Sequence, residues 1–218
     1  MSKSGGKKLV HLILNRRSIR SGFIPKEVPD VIIDQIVGCG INAPSSKNAQ
    51  PWRLHVVKDV ELLGQIASRI EEAKGIEDFR PWSPKSGRPR PEYRSSVVES
   101  AEILRAAPLA IFVENKGLFA DRRVDVQDVL VRSGGTYSLV GFALEYIGIG
   151  AAIENVLLAA QALDVRGVFM GDVLVAEDFI RESLEMSGDL VGAISLGYSN
   201  GEPDPKVLHR DNVVWHRS

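Results

Sequence analysis

The chain has 218 residues, of which 44% are hydrophobic and 25% charged, and this composition is ordinary for one soluble globular domain. Lysine and arginine total 27 and aspartate and glutamate total 28. The near-neutral net charge therefore provides no general attraction for nucleic acid or for anionic membranes. Cys39 is the only cysteine, which excludes an intrachain disulfide, and a reducing cytoplasm is the expected compartment.

The first third of the chain shows helical spacing of apolar residues. Ile33, Ile36 and Val37 recur on one helical face, after Asp30 as the expected N-cap. Cys39 falls in the same helix, where it is expected to be a small buried side chain. The predicted elements are helices over residues 8–14, 29–40 and 59–73 and a short strand at Leu54, Val56 and Val57.

The rest of the chain mixes further helices and strands. The run "PLAIFVEN" from Pro108 is continuously apolar, which predicts a strand buried on both faces. A long apolar helix over 134–163, capped by Ser133, contains Glu145 and Glu154, which favours a buried helix over a membrane span. The interleaved pattern predicts an α/β or α+β protein with one central sheet. The remaining predicted elements are helices over 94–105 and 176–186 and strands at Val165–Met170 and in "LVGAISLGYS".

Residues 74–94 differ in composition from the rest. The stretch "SPKSGRPRPEYR", from Ser83, holds three prolines and four basic residues in twelve positions, which a core element would not tolerate. A solvated surface loop and a functional lid both fit this composition. A basic arm for nucleic acid fits less well, because interleaved aromatic residues are missing.

Two polar segments are candidates for function. "NRRSIR", residues 15–20, follows the first helix, and its positive charge suits either the helix C-terminus or an anionic ligand. "INAPSSKNAQPW", residues 41–52, predicts a loop rich in hydrogen-bonding groups and held at its end by Trp52. "GIGAAI", from Gly148, lacks the third glycine of a dinucleotide fingerprint, and its small residues are expected to let another helix approach. With a third basic site near His209 and Arg210, the segments suggest a polyanionic aromatic ligand.

These motifs, in order, resemble the flavin-dependent nitroreductase superfamily: "RRSIR", then "APSSKNAQPW" before a strand, then a long helix rich in small residues, then "SLGY". The resemblance implies a single α+β domain over residues 1–218, with a central mixed sheet flanked by helices. It also implies an intertwined homodimer with FMN bound in two sites at the dimer interface.

The same resemblance implies which residues bind the cofactor. Residues of the first motif would hold the phosphate, ribityl chain and pyrimidine edge of FMN, and arginine forks suit phosphate. The second motif would reach the flavin from the partner subunit, and the backbone near Phe169 would follow the flavin ring. Leu208 replaces one basic residue that the family often has, so Lys206 or His209 would have to compensate at the phosphate. The expected site residues are Arg16, Arg17, Ser18, Arg20, Pro44, Ser45, Ser46, Asn48, Gln50, Met170, Gly171 and Arg210.

The function implied is electron transfer through FMN. NADH or NADPH would reduce the flavin and leave, and a small aromatic acceptor such as a nitroaromatic or quinone would then take its place. No metal, nucleic acid or membrane partner is expected. A flavin storage or sensor protein stays open as an alternative, as does a relative that performs dehalogenation or oxygen-dependent flavin chemistry.

Overall fold

The computed structural model describes residues 3–80, 88, 90, 92–117, 140–203 and 214. In chain order, the α-helices are α1 Lys3–Asn15, α2 Asp30–Ile41, α3 Val60–Glu71, α4 Ser96–Ala106, α5 Val140–Ala162 and α6 Glu177–Ser183. The strands are β1 Trp52–Val57, β2 Leu109–Asn115, β3 Arg166–Met170 and β4 Asp189–Gly197. Short 3-10 helices cover Ser46–Asn48, Ile76–Asp78 and Asp172–Ala176.

The four described strands form one sheet in the order β1-β2-β4-β3. Every pairing among them is antiparallel, so the mixed sheet expected from the family is wrong for this part of the chain. The link from β1 to β2 explains one of the reversals. It contains two helices, α3 and α4, so the chain returns to the end of the sheet at which β1 finished, and β2 runs back beside β1.

Strand β2 is buried along its whole length, as its continuous apolar run predicts. Its side chains alternate between two clusters, as a pleated strand requires. Leu109, Ile111 and Val113 pack in the cluster that contains α2 and α5 residues. Ala110 and Phe112 pack in the cluster that contains α3 and α4 residues. The sheet therefore lies between two helical layers, and the predicted α+β class is confirmed.

The helix boundaries follow their capping residues. Asp59 caps α3, where its carboxylate accepts from the backbone N–H groups of Glu61 at 2.9 Å and Leu62 at 3.1 Å. The expected cap of α2 is wrong: Pro29 is the N-cap residue, and Asp30 is the first helical residue and pairs with Lys58 at 2.8 Å. Proline fixes φ near −60° in extended backbone, so the helix begins just after it.

The structure differs from the sequence-based predictions at Cys39 and at the helix predicted over 176–186. Cys39 is exposed, contrary to the expected buried position, because the buried face of α2 consists of Ile33, Ile36 and Gly40. The helix predicted over 176–186 is shorter in the structure, where α6 covers only Glu177–Ser183 and follows the 3-10 helix Asp172–Ala176. Ser133 and residues 134–139, the predicted start of the long helix, lie outside the described residues.

Helix α5 is apolar enough over Ala143–Ala162 to cross a membrane by length and composition. It packs against α2 and β3, and Ile149, Ala152 and Val156 lie in the core. Glu145 is also buried, where it accepts a hydrogen bond of 2.9 Å from Asn115 Nδ2. These contacts are those of a core helix, in agreement with the sequence-based prediction.

The buried carboxylate of Glu114 on β2 connects β1 to the turn before β4. Glu114 follows a register shift in the pairing of β2 with β4 and is fully buried. One of its oxygens lies 2.7 Å from His55 Nε2 and 3.2 Å from Arg53 Nη1. The other accepts from the backbone N–H of Ser187 at 3.1 Å and of Gly188 at 2.6 Å. Burial alone would raise the pKa of Glu114, but these hydrogen bonds and the nearby charge hold the pKa below its usual value.

We expect Glu114→Gln to lower the free energy of unfolding at pH 7 by about 2–4 kcal/mol, because it removes the charge that these donors stabilise. Because the folded-state pKa is depressed, the stability from the carboxylate is present at neutral pH and is lost as the pH falls below about 4.5. Urea unfolding of both proteins at pH 7 and pH 4 measures the effect.

The difference in free energy of unfolding between the wild type and Glu114→Gln should therefore be smaller at pH 4 than at pH 7. Glu72→Gln is the matched control, because Glu72 pairs with Arg69 on the surface of α3, where the loss should stay within about 0.5 kcal/mol. A Glu114→Gln deficit that is equal at both pH values would contradict this account.

Candidate functional site

The basic segment 16–20 lies along the outer edge of β3. Helix α1 ends at Asn15, and the backbone N–H of Ile19 donates to Gly167 O at 3.1 Å. The side chain of Ile19 is buried. The segment is therefore held in extended form against the sheet, with its polar side chains on either side of a buried isoleucine.

The end of the segment is fixed by a crossing of two chain stretches. Phe23 forms a β-bridge with Ser199, and Ser199 Oγ donates to Ser21 O at 2.8 Å. The backbones approach so closely that a Cβ at Gly22, where φ is +70°, would lie 2.4 Å from Gly201 N. The "SLGY" motif ends at this crossing, so in this structure its role is to position the basic segment.

Arg16 is the most enclosed of the three arginines. Its Nε donates to Glu154 Oε1 at 2.9 Å, and the Arg16 side chain is only 18% exposed. Its Nη1 is buried and has no hydrogen-bond partner among the described residues. Leaving a buried donor unpaired costs on the order of 1–3 kcal/mol, and more for a charged group. This nitrogen is therefore the clearest sign of a ligand site in the described chain.

The other basic side chains have protein partners. Arg17 Nη1 donates to Leu14 O at 3.1 Å and to Arg16 O at 2.9 Å, so it caps the last turn of α1. Arg20 is partly exposed and its Nε lies 3.6 Å from Glu99. The interpretation of the cluster as a charged helix end is therefore correct for Arg17, while Arg16 points to a ligand.

The polar loop 44–50 is closed by its own side chains. Ser45 Oγ accepts from the backbone N–H of Gln50 at 2.9 Å, and Gln50 Nε2 donates to Asn48 Oδ1 at 3.1 Å. Lys47, Asn48 and Gln50 have φ values of 51°, 53° and 45°. Non-glycine residues in this left-handed region carry strain of roughly 1 kcal/mol or more each. The structure thus holds these side chains in an unfavourable backbone conformation.

Packing on α5 holds the loop in place. Trp52 is buried, and a Cβ at Gly148 would lie 3.3 Å from Ser45 Cβ and 3.5 Å from Trp52 Cζ3. Gly148 therefore admits the polar loop, not another helix as expected. The close contact between helices lies at Gly40 of α2, where a Cβ would lie 2.6 Å from Val156 Cγ2.

The remaining expected site residues lie near the end of β3. Met170 is its last residue and is buried, so only its backbone can face a ligand, as the family resemblance implies. Gly171 follows and accepts from Leu174 N at 3.2 Å. Arg210, with Lys206, Leu208 and His209, lies outside the described residues.

The candidate residues form two groups on opposite edges of the sheet. Segment 16–20 and Gly171 lie at the β3 edge, while loop 44–50 leads into β1 at the other edge. Three strand spacings, about 14 Å, separate these edges. Sequence reasoning missed Glu154 as the partner of Arg16, because the two residues are 138 positions apart and no local pattern links them.

An open groove of about 800 Å³ lies elsewhere, between α3 and α6. Its rim includes Arg69, Glu72 and Arg105, which are engaged in ion pairs on the surface. None of the candidate site residues lines this groove. Its size alone does not make it the functional site.

The fold and these residues define an α+β protein that carries two polar groups at the edges of a helix-flanked sheet. The family model described as "Nitroreductase family" matches residues 13–198. The chain therefore belongs to the Nitroreductase family, which confirms the resemblance of its motifs.

Similar proteins agree with this membership. An Archaeoglobus fulgidus protein named as an NADH dehydrogenase/NAD(P)H nitroreductase is 25% identical over 214 residues, covering 92% of this chain and 95% of that protein. Iodotyrosine deiodinase 1 of Rattus norvegicus is 32% identical over 103 residues, 47% of this chain and 35% of the deiodinase.

Solved structures show the same fold. A nitroreductase with bound FMN from Desulfitobacterium hafniense has a TM-score of 0.68 at 20% identity, covering 96% of this chain and 98% of that one. An NADPH:FMN oxidoreductase from Vibrio harveyi complexed with NAD+ has a TM-score of 0.67 at 20% identity, covering 96% of this chain and 76% of that one.

The strained loop generates a stability prediction. Gln50→Gly and Gln50→Ala both remove the side chain that bonds to Asn48, but only glycine adopts a φ of 45° without cost. We therefore expect the glycine variant to be more stable than the alanine variant by about 1 kcal/mol, the reverse of their usual order. Thermal or urea unfolding of the two variants measures the difference. An alanine variant as stable as the glycine variant would show that the loop carries no strain at Gln50.

Proposed function

We propose that this protein is an FMN-dependent oxidoreductase that accepts electrons from NADH or NADPH and passes them to a nitroaromatic or quinone-type acceptor. The Nη1 of Arg16 carries the proposal, because it is buried without an acceptor among the described residues and lies where the family motif expects the cofactor. Family membership, the nitroreductase relative and the FMN-bound neighbour support it. A cytoplasmic location, expected from the single cysteine, belongs to the same proposal.

The residues of the first motif suit FMN. Arg16 offers a charged donor for the phosphate, and Ser18 and Arg20 are partly accessible on the same extended segment. Arg17, although its Nη1 caps α1, keeps further donors, and Arg210 would add a second charge at the phosphate. FMN supplies the redox chemistry when bound, and the protein binds, orients and shields it.

The second motif would complete the site from another subunit. Loop 44–50, with Pro44, Ser45, Ser46, Asn48 and Gln50, lies at the sheet edge opposite to Arg16 in the same chain. The family resemblance assigns the second motif to the partner subunit, so a ligand that contacts both groups would be held by two chains, each providing one group. The strain of the loop fits this role, because strained backbone is characteristic of ligand-contacting loops.

Exposed apolar side chains on α1 support a homodimer. Leu9, Val10, Ile13 and Leu14 are all more than two-fifths exposed, and Ile147 of α5 is 69% exposed. Apolar residues on successive turns of a helix are typical of a surface that another chain covers. An intertwined homodimer would bury them.

Light scattering of the purified protein should therefore give twice the chain mass of 23.9 kDa at micromolar concentration. The interface should exceed the ~1,600 Å² of a standard complex, because apolar faces of this kind belong to obligate dimers. Ile13→Glu together with Leu14→Glu should shift the mass towards one chain, since charge would be buried. A stable monomer that binds FMN would contradict the two-chain site.

The cofactor assignment has a direct test. Acid-released flavin from the purified protein, identified by chromatography, should be FMN, because the arginines suit a terminal phosphate. Anaerobic mixing of the holoprotein with NADH or NADPH should then bleach the flavin absorbance, and a quinone or nitroaromatic should restore it. FAD, or no affinity for added FMN, would contradict the cofactor; bound FMN that neither nucleotide reduces would favour the storage or sensor alternative.

Dehalogenation is a second candidate, favoured by the 32% identity with iodotyrosine deiodinase 1 over 103 residues. The flavin would then donate its electrons to a halogenated aromatic ring. We expect chemically reduced holoprotein to return to the oxidised form faster with a quinone or nitroaromatic than with iodotyrosine. Faster reoxidation by iodotyrosine, with stoichiometric release of iodide, would make dehalogenation the better assignment.

A further inference from the structure

Glu154 lies on α5 and binds the arginine that the first motif places at the cofactor. Its Oε1 accepts from Arg16 Nε at 2.9 Å. The Glu154 side chain is 47% exposed, whereas the Arg16 side chain is 18% exposed. The contact therefore joins a half-exposed carboxylate to a largely enclosed guanidinium.

The geometry of the guanidinium determines which of its nitrogens this contact can satisfy. The group is a planar fork whose Nε and Nη1 point to different sides. A carboxylate at Nε therefore fixes the rotation of the fork but does not satisfy Nη1. Nη1 stays buried with no acceptor among the described residues. The pair thus leaves one charged, buried donor that has no acceptor in the described part of the chain and that an anionic ligand would satisfy.

Stabilisation of the fold does not explain the pair well. An ion pair with one half-exposed partner contributes little to stability, because water screens it. Fixing Arg16 in one orientation also lowers the side-chain entropy that binding would otherwise have to remove, and this preorganisation strengthens binding. At the same time the negative charge of Glu154 opposes an anionic ligand at the same arginine.

We propose that Glu154 is a positioning residue for Arg16, which orients the guanidinium towards the cofactor phosphate and, through its charge, limits how tightly the phosphate is held. This inference rests on the proposed FMN site. It makes separate claims about orientation and charge, and two substitutions distinguish them. Glu154→Gln keeps an oxygen acceptor for Arg16 Nε but removes the charge, whereas Glu154→Ala removes both.

The experiment measures the affinity of the flavin-free full-length chain for FMN and for riboflavin by fluorescence titration. Riboflavin lacks the phosphate, so its affinity reports all contacts except those of the phosphate. We expect Glu154→Gln to bind FMN about three- to tenfold tighter than the wild type, the size expected for a partly screened charge. We expect Glu154→Ala to bind FMN at least about threefold more weakly than Glu154→Gln, since a fixed arginine loses less entropy on binding. Riboflavin affinity should be the same in all three proteins.

Two controls make the outcome specific. In an Arg16→Ala background, Glu154→Gln and Glu154→Ala should have equal FMN affinities, because the positioned group is gone. Glu71, which pairs with Arg105, has a side chain about as exposed as that of Glu154, so Glu71→Gln causes the same change in net charge and should leave FMN affinity unchanged. Circular dichroism and thermal unfolding would establish that each variant is folded.

Equal FMN affinities of Glu154→Gln and Glu154→Ala would overturn the positioning role. Weaker FMN binding by Glu154→Gln than by the wild type would overturn the role of the charge. If a Glu154 variant lost equal affinity for FMN and for riboflavin, Glu154 would act on the fold and not on the phosphate. A wild-type chain that binds neither flavin would instead contradict the proposed cofactor, so the two failures are distinguishable.

Discussion

The structure depends on one constraint, the burial of strand β2 on both faces. A strand whose side chains are apolar on both sides must be covered by two layers, and its two neighbours in the sheet must complete its hydrogen bonds. Helices α2 and α5 supply one layer and α3 and α4 the other. With β2 and β4 in the centre, β1 and β3 become the edges. The chain segments that precede or flank the edge strands are then the ones available for binding.

Close backbone contacts connect this framework to the site. Gly148 brings the polar loop against α5, and Gly22 and Gly201 allow the crossing that fixes the end of the basic segment. Ile19 joins the same segment to the edge of β3. None of these contacts uses the side chain of Arg16 or of Gln50. The framework therefore presents Arg16 and Gln50 on rigid supports, which is how a binding site keeps its geometry.

Patterns within short stretches predicted most of the fold. The continuous run in β2, the periodicity of α2 and the proline-rich loop with its buried Trp52 are local features, and the structure contains all three. The predicted N-cap of α2 was wrong because Pro29 and Asp30 both suit a helix start, and only the fold decides that Asp30 pairs with Lys58. The prediction of a mixed sheet was wrong for the described strands because the direction of a strand depends on how the two intervening helices pack.

Contacts between distant residues were not predictable in the same way. Glu114 is one acidic residue at the end of an apolar run and would ordinarily be placed on the surface, yet His55 and Gly188 meet it in the core. Its cluster exists only because β1 and the turn before β4 flank β2. The pairing of Arg16 with Glu154 likewise requires α5 to lie beside the end of α1.

The two kinds of buried polar group differ in a way that separates structure from function. Glu114 has donors on both oxygens, so its desolvation is compensated within the protein and the cluster stabilises the fold. Arg16 has one compensated nitrogen and one buried nitrogen without an acceptor in the described chain, and the second family motif, in loop 44–50, is held at unfavourable φ values. Both features lower the stability of the fold, and no contact among the described residues compensates for them. A cost that local packing does not offset is expected where a ligand completes the structure, and in this chain it falls on the two segments that the family motif assigns to the cofactor.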